Sequence, residues 1–365
     1  MYEIYKSTIL RRETSKMGYK SKKYKRDLSQ QVYDRLTKML HAGENTSKKE
    51  AIADGTYRDK IFSYDSYHSY AKHCKYFSKY VREHYPEVTS LKQAKKYVNE
   101  WLQSRVDHTD QNGRHLSAWT IALEKNAISK LYDIRPDDPD YFRVPPRRRE
   151  DIVRSRVDVV RDKHFSKNNN AELISFCRGV GARRQGISSL RGKDLMTRDQ
   201  IDKAVASLEQ KSHERELSPR EQGHLNILRD AQLFDKSEYF VYLKEKGGRE
   251  RISPIVGPNT EQIVERFRNT PRDEKVWMHV NSNADIHSYR SDYANFVYRQ
   301  YCRPIDSIPY DRVNKGTGKK YQSEVYVFRK DEYGKRMDRR GLFLTSKALG
   351  HNRVSVVANN YLRGL

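Results

Sequence analysis

From Arg135 to Arg149 the chain reads Arg-Pro-Asp-Asp-Pro-Asp-Tyr-Phe-Arg-Val-Pro-Pro-Arg-Arg-Arg. Proline stops helices, and a cluster of guanidinium groups belongs at a surface. Residues 135–150 are therefore read as a linker that divides the chain. The length agrees, since 365 residues exceed what one compact core usually holds.

Before the linker the apolar pattern is helical. Residues 1–56 read as a basic arm, rich in Lys and Arg over 1–27 with Met17 an alternative start, followed by one helix. That helix starts at Leu28, shows Val32, Leu36, Met39 and Leu40 on one face, and stops at Gly43. Over 57–134 three more helical stretches predict a small bundle: Tyr70, Phe77 and Val81; Ala94, Val98, Trp101 and Leu102; and Trp119, Leu123, Ile128 and Leu131 behind the N-cap candidate Ser117.

Beyond the linker the pattern is mixed. A helix is expected near Ala171 to Gly179, and a charged helical pair over 201–231, broken at Ser218-Pro219. Tyr239 to Leu243, Gly247-Gly248 and Ile252 read as a β-hairpin, and Val325 to Phe328 as a second with its turn near Tyr333-Gly334. The expected fold class is mainly α with a small β-sheet (α+β) in two domains, the second covering 151–365.

Charge points to a polyanionic partner. Lys and Arg number 72 against 48 Asp and Glu, a net +24, and the cations alternate with aromatics among 26 tyrosines. Such a surface neutralises phosphates while its rings pack on sugar or base edges; the plainer reading is a solvated helix face. Cys74, Cys177 and Cys302 are odd in number and lack metal-ligand spacing, so a reducing compartment without disulfides is expected. No apolar run reaches the ~18 residues of a membrane span and no secretory signal core is present, so the expectation is a soluble, cytoplasmic protein.

Transferring a phosphodiester needs neutralised nonbridging oxygens, an in-line nucleophile and a proton for the leaving 5′ oxygen. Arg183 and Arg290 suit the first task, because a planar guanidinium donates two hydrogen bonds to one phosphate. Lys246, beside Gly247-Gly248, is a candidate acid, and Tyr361 a nucleophile whose phosphotyrosine ester conserves the bond energy. Each has a duller reading: a helix-terminal arginine, a lysine no better placed than Lys244 or Arg249, core or capping histidines at 287 and 351, and a tyrosine packing a short C-terminal helix.

Their joint order resembles the tyrosine recombinase (phage integrase) family, from about Asp151 to the C-terminus. Gly181-Ala182-Arg183 precedes Leu190-Arg191-Gly192-Lys193-Asp194, which selects Arg183 over Arg184. Lys246-Gly247-Gly248-Arg249-Glu250-Arg251 leads to Ile252-Ser253-Pro254, and His287-Ser288-Tyr289-Arg290, Leu349-Gly350-His351 and Tyr361 follow. The resemblance implies catalytic residues Arg183, Lys246, His287, Arg290, His351 and Tyr361. It implies a two-domain clamp on double-stranded DNA, with residues 57–134 as the core DNA-binding domain and 151–365 as the catalytic domain. Cleavage would pass through a 3′-phosphotyrosyl bond and a four-way junction in a homotetramer, integrating or excising a mobile element without metal or other cofactor.

A directionality factor or DNA-bending protein would be a possible partner, and the location nucleoid-associated. Three other classes compete: a type IB topoisomerase, a noncatalytic DNA-binding regulator and a metal-dependent nuclease. The chain also departs from the family's pattern. Gly186 stands where an acidic residue often follows the first arginine by three. Residues 196–238 replace a short connection, the stretch from Arg303 to Gly341 is long, and only Leu362-Arg363-Gly364-Leu365 follow the tyrosine.

Overall fold

The structure, a computed structural model, describes residues 26–147, 165–245, 248–308, 324–328, 332–362 and 365. The basic arm up to residue 25, the end of the linker with Arg148 and Arg149, the start of the second domain to residue 164, and Lys246 and Gly247 lie outside the described residues. The chain divides into two compact units, Met1–Val153 and Arg154–Leu365. The described residues are mainly helical, with one three-stranded and one two-stranded antiparallel sheet. No described helix is long and apolar enough to cross a membrane.

In the first unit, α1 (Leu28–Gly43) begins where Asp27 accepts a hydrogen bond from the Gln30 backbone N–H at 2.7 Å. It is followed by α2 (Lys48–Ala53), α3 (Tyr64–His84), α4 (Leu91–Ala94), α5 (Val98–Asp107) and α6 (Ala118–Tyr132). Leu28, Val32 and Leu36 of α1 share one core with Phe77 and Val81 of α3, Trp101 of α5 and Ile128 and Leu131 of α6. The helix that the sequence places ahead of the bundle is therefore part of its core. Phe77 is the hub, its ring 5.4 Å from that of Trp101 and 6.2 Å from that of Tyr132.

Two details differ from the sequence reading. Gly43 is the last residue of α1 as expected, but it serves close packing, since a Cβ there would lie 2.1 Å from the Ile61 carbonyl oxygen, and the left-handed residue of the turn is Asn45. On α6 the inward face is Ile121, Ala122, Ile128 and Leu131, while Leu123 is 40% exposed.

The second unit runs α7 (Ala171–Val180), α8 (Arg184–Ser189), β1 (Leu195–Thr197), α9 (Arg198–Glu214), α10 (Pro219–Gln232), β2 (Tyr239–Glu245), β3 (Arg249–Pro254), α11 (Thr260–Arg268), α12 (Ile286–Tyr301), β4 (Val325–Val327), β5 (Arg336–Asp338), α13 (Arg339–Ala348) and α14 (Val354–Asn360). Strand β2 is central: Leu195 pairs with Val241 on one side, and Tyr242 with Ile252 and Leu243 with Arg251 on the other. Side chains alternate across a strand. Phe240 and Ile252 thus join the core under α9, α10, α12 and α13, while Val241 and Leu243 join the core of α7, α8 and α11.

The long segment after Leu195 is a helical hairpin whose Ile201, Val205, Leu225 and Leu228 cover one sheet face. Pro219 occupies the first turn of α10 behind a Ser218 capping box, where its missing N–H costs nothing. The sequence reading also omits β1, whose Met196 and Thr197 pair with Phe240 and Tyr239. Three residues are too short for a period-2 signal.

Truncating Leu131, which is fully buried, should cost about 2–5 kcal/mol. Truncating Leu123 should cost under about 1 kcal/mol. Urea unfolding of Leu131→Ala and Leu123→Ala, followed by fluorescence, checks the contrast; equal costs would contradict the assigned face of α6.

Candidate functional site

Strand parity carries polar chemistry into the second unit. Glu245, the last residue of β2, lies on the same face as Val241 and Leu243, and its side chain is only 4% exposed. Arg251, opposite Leu243 on β3, shares that face. Helix α7 ends at Gly181, whose left-handed φ of 61° favours glycine and where a Cβ would strike the Tyr293 ring. The chain then turns so that Arg183 stands at the position just before the first residue of α8.

Glu245 gathers three guanidinium groups. One oxygen accepts from the Arg183 backbone N–H at 2.7 Å, the other from the Arg183 side chain. Arg251 lies 3.4 Å and Arg290 3.8 Å from the carboxylate. Burial alone would raise the Glu245 pKa; Arg251, then Arg290, then Arg183 outweigh it, and the net shift is downward. Burial pushes Arg251 down to about 10, with Arg290 adding to the shift and Glu245 opposing it, so it stays charged at neutral pH.

Three cations against one anion leave positive charge in excess, and the buried Nε atoms of Arg251 and Arg290 have no acceptor among the described residues. The remaining donors are braced by backbone. Arg290, on α12, donates to the Gly181 and Leu349 carbonyls. Arg251 donates to the Ala348 carbonyl and to Ser253 Oγ. Helix α13 turns out of its last residues at Gly350, with φ 67°, where a Cβ would lie 2.9 Å from Arg251 Cδ. The His351 N–H then returns to the Ser346 carbonyl at 2.8 Å.

Tyr361 closes this assembly. It follows α14, is 7% exposed, and its hydroxyl lies 3.2 Å from His351 Nε2. The His287 ring stacks on the phenol at 5.4 Å, and the Arg290 guanidinium lies over it at 5.9 Å. Burial, then the positive fields of Arg290, Arg183 and Arg251, lower the His351 pKa to about 4, and Glu245 only partly opposes them. His351 is therefore neutral at physiological pH. In the tautomer protonated on Nδ1, its Nε2 accepts the phenolic proton.

Of the sequence candidates, Arg183, His287, Arg290, His351 and Tyr361 thus lie together, while Lys246 lies outside the described residues. Arg183 keeps its side chain 40% exposed. His287 is exposed too, and Arg290 is buried. The neighbouring Arg184 is engaged elsewhere, donating to the carbonyls of Asn281 at 2.5 Å, Ser282 at 3.0 Å and Ala284 at 2.6 Å. It thereby holds the loop leading into α12. Lys244 points to Glu250 at 3.4 Å, and Arg249 donates to the Gly350 carbonyl.

Sequence reasoning missed Glu245 and Arg251 as site residues. Strand alternation offered a signal: counting from Val241 through Leu243 puts Glu245 on a buried face, where a carboxylate needs cationic partners. Among the described residues no group of three or more His, Cys, Asp or Glu is placed to hold a metal ion.

The depressed His351 pKa has a consequence for stability. The unfolded chain, with the ordinary value 6.5, binds a proton below that pH which the folded site refuses until about pH 4. Stability should therefore fall as pH drops through that window, and His351→Gln should flatten the slope. NMR titration of the His351 ring should find it neutral at pH 5; a midpoint near 6.5 would contradict the buried, cation-flanked setting. Comparison of the chain with protein-family models, with curated proteins and with solved structures returns no match.

Proposed function

We propose that the chain is a tyrosine-type site-specific DNA recombinase, an integrase of a mobile element. The observation that carries this reading is the Tyr361 hydroxyl, hydrogen-bonded to a neutral histidine beside guanidinium groups that outnumber the carboxylate they share. A phosphodiester suits such a site: its nonbridging oxygens take up the excess positive charge while the phenol supplies the nucleophile.

In the proposed step, His351 Nε2 takes the Tyr361 proton as the phenolic oxygen bonds to phosphorus. The bond from phosphorus to the 5′ oxygen breaks, and Lys246 gives that oxygen its proton. Arg183, His287 and Arg290 hold the charge that develops on the nonbridging oxygens. The product is a 3′-phosphotyrosyl ester and a free 5′ hydroxyl, which regenerate a phosphodiester when a 5′ hydroxyl attacks in reverse. A phosphate bound beside His351 opposes the field of the three arginines and raises its proton affinity, which favours the transfer.

The first unit, with its bundle and clustered cations, is the proposed DNA-binding domain, and the two units would grip duplex DNA as a clamp. Four copies on paired sites would exchange strands through a four-way junction.

Wild type should form a denaturation-resistant, protease-sensitive adduct with duplex DNA from the ends of the source element, in EDTA, and Tyr361→Phe should form none while still retaining the DNA in a gel. Loss of binding together with the adduct would make Tyr361 a packing residue only. Lys246→Ala should slow adduct formation about 10²–10⁴-fold, and a 5′-bridging phosphorothiolate, which leaves without a proton, should rescue it. An equal defect on both substrates would restrict Lys246 to phosphate binding.

A further inference from the structure

We propose that Glu245 is the positioning residue of this site, the carboxylate that sets Arg183 and Arg290 to meet the phosphate, and that Gly186 is its seat. The proposal deepens the recombinase reading and rests on it for the reaction, though not for the geometry. Glu245 touches no reacting atom, and its action is on the arginines.

The geometry is specific. Glu245 accepts from both the backbone and the side chain of Arg183, which fixes the guanidinium relative to the start of α8. Its first oxygen also lies 3.8 Å from Arg290 and 3.4 Å from Arg251. Without that carboxylate, three buried or half-buried cations would face one another, and repulsion would drive the more exposed Arg183 outward.

Gly186 explains how the carboxylate fits. Glycine is a poor helix former, and Gly186, inside α8, does not adopt a positive φ, so the backbone does not require it. A Cβ at 186 would lie 3.3 Å from Glu245 Oε1 and 3.5 Å from its Cγ. A side chain at 186 would thus press on Glu245, and the glycine leaves that carboxylate its room. Position 186 is also where the family resemblance expects an acidic residue. The chain places its carboxylate in that volume from the opposite wall, from strand β2 rather than helix α8. Nothing in the spacing of the arginine box discloses that exchange.

A swap tests the idea. Glu245→Gln and Glu245→Gly should each slow adduct formation on the order of 10²-fold, the scale of a misplaced catalytic group, while DNA retention is kept, since no phosphate donor is removed. Gly186→Glu alone should be defective, with two carboxylates crowded together. Gly186→Glu combined with Glu245→Gly should recover to within about tenfold of wild type, because the carboxylate regains the volume.

A merely structural Glu245 predicts instead that the double variant is worse than either single one. A wild-type rate in Glu245→Gln would likewise overturn the proposal. Guanidinium ¹⁵N signals of Arg183 and Arg290, recorded without DNA, separate the two readings. Restricted rotation lost in Glu245→Gln and regained in the swap supports the positioning role even if wild type forms no adduct, which would count against the recombinase reading alone. Unchanged signals in Glu245→Gln refute it.

Discussion

The candidate site depends on one buried ion cluster, the Glu245 carboxylate among Arg183, Arg251 and Arg290. A buried carboxylate is held only when charges and hydrogen bonds replace its lost water, and buried guanidiniums are under the same constraint. Each member therefore fixes the others. Because the cations outnumber the anion, and the buried Nε atoms of Arg251 and Arg290 lack acceptors among the described residues, the cluster remains electrostatically open to a second anion. That surplus turns a structural ion pair into a candidate site, and, added to burial, it helps lower the His351 pKa to about 4.

The fold delivers these groups by simple geometry. Alternation along β2 and β3 sends Glu245 and Arg251 to one sheet face while Phe240 and Ile252 bury the other beneath the helical hairpin of α9 and α10. Helix α12 brings Arg290 and His287 on one side, three residues apart. Carbonyls at the ends of α7 and α13 then brace the arginines: Gly181 and Leu349 for Arg290, Ala348 for Arg251. Both helix ends turn through glycines, Gly181 facing the neighbouring Tyr293 ring and Gly350 facing Arg251 of the cluster itself. The helix ends and the charge cluster are thus one construction.

Much of this was legible in the sequence where local signals are strong. The 3.6-residue pattern of Val32, Leu36, Met39 and Leu40 gives α1, Ser218-Pro219 separates α9 from α10, and the apolar run from Tyr239 to Leu243 ahead of Gly247-Gly248 gives the hairpin. The order of Arg183, His287, Arg290, His351 and Tyr361 singles out residues that the fold then brings side by side. What escaped depends on contacts between distant segments. The role of Gly43 follows from the approach of Ile61, that of Gly186 from the approach of Glu245, and the three residues of β1 from pairing with β2. Leu123 misled for another reason: spaced from Ile121 and Ile128 so that it falls on the far side of the helix, it is grouped with the core on its apolar character alone.

The central claim is that Tyr361 itself becomes esterified to DNA in front of this cluster. Its most direct test is mass spectrometry of the trapped protein–DNA adduct after nuclease and protease digestion. The account predicts a nucleotide remnant on the C-terminal peptide, attached to Tyr361 through its 3′ phosphate. A remnant on any other side chain, or a 5′ linkage, would contradict it.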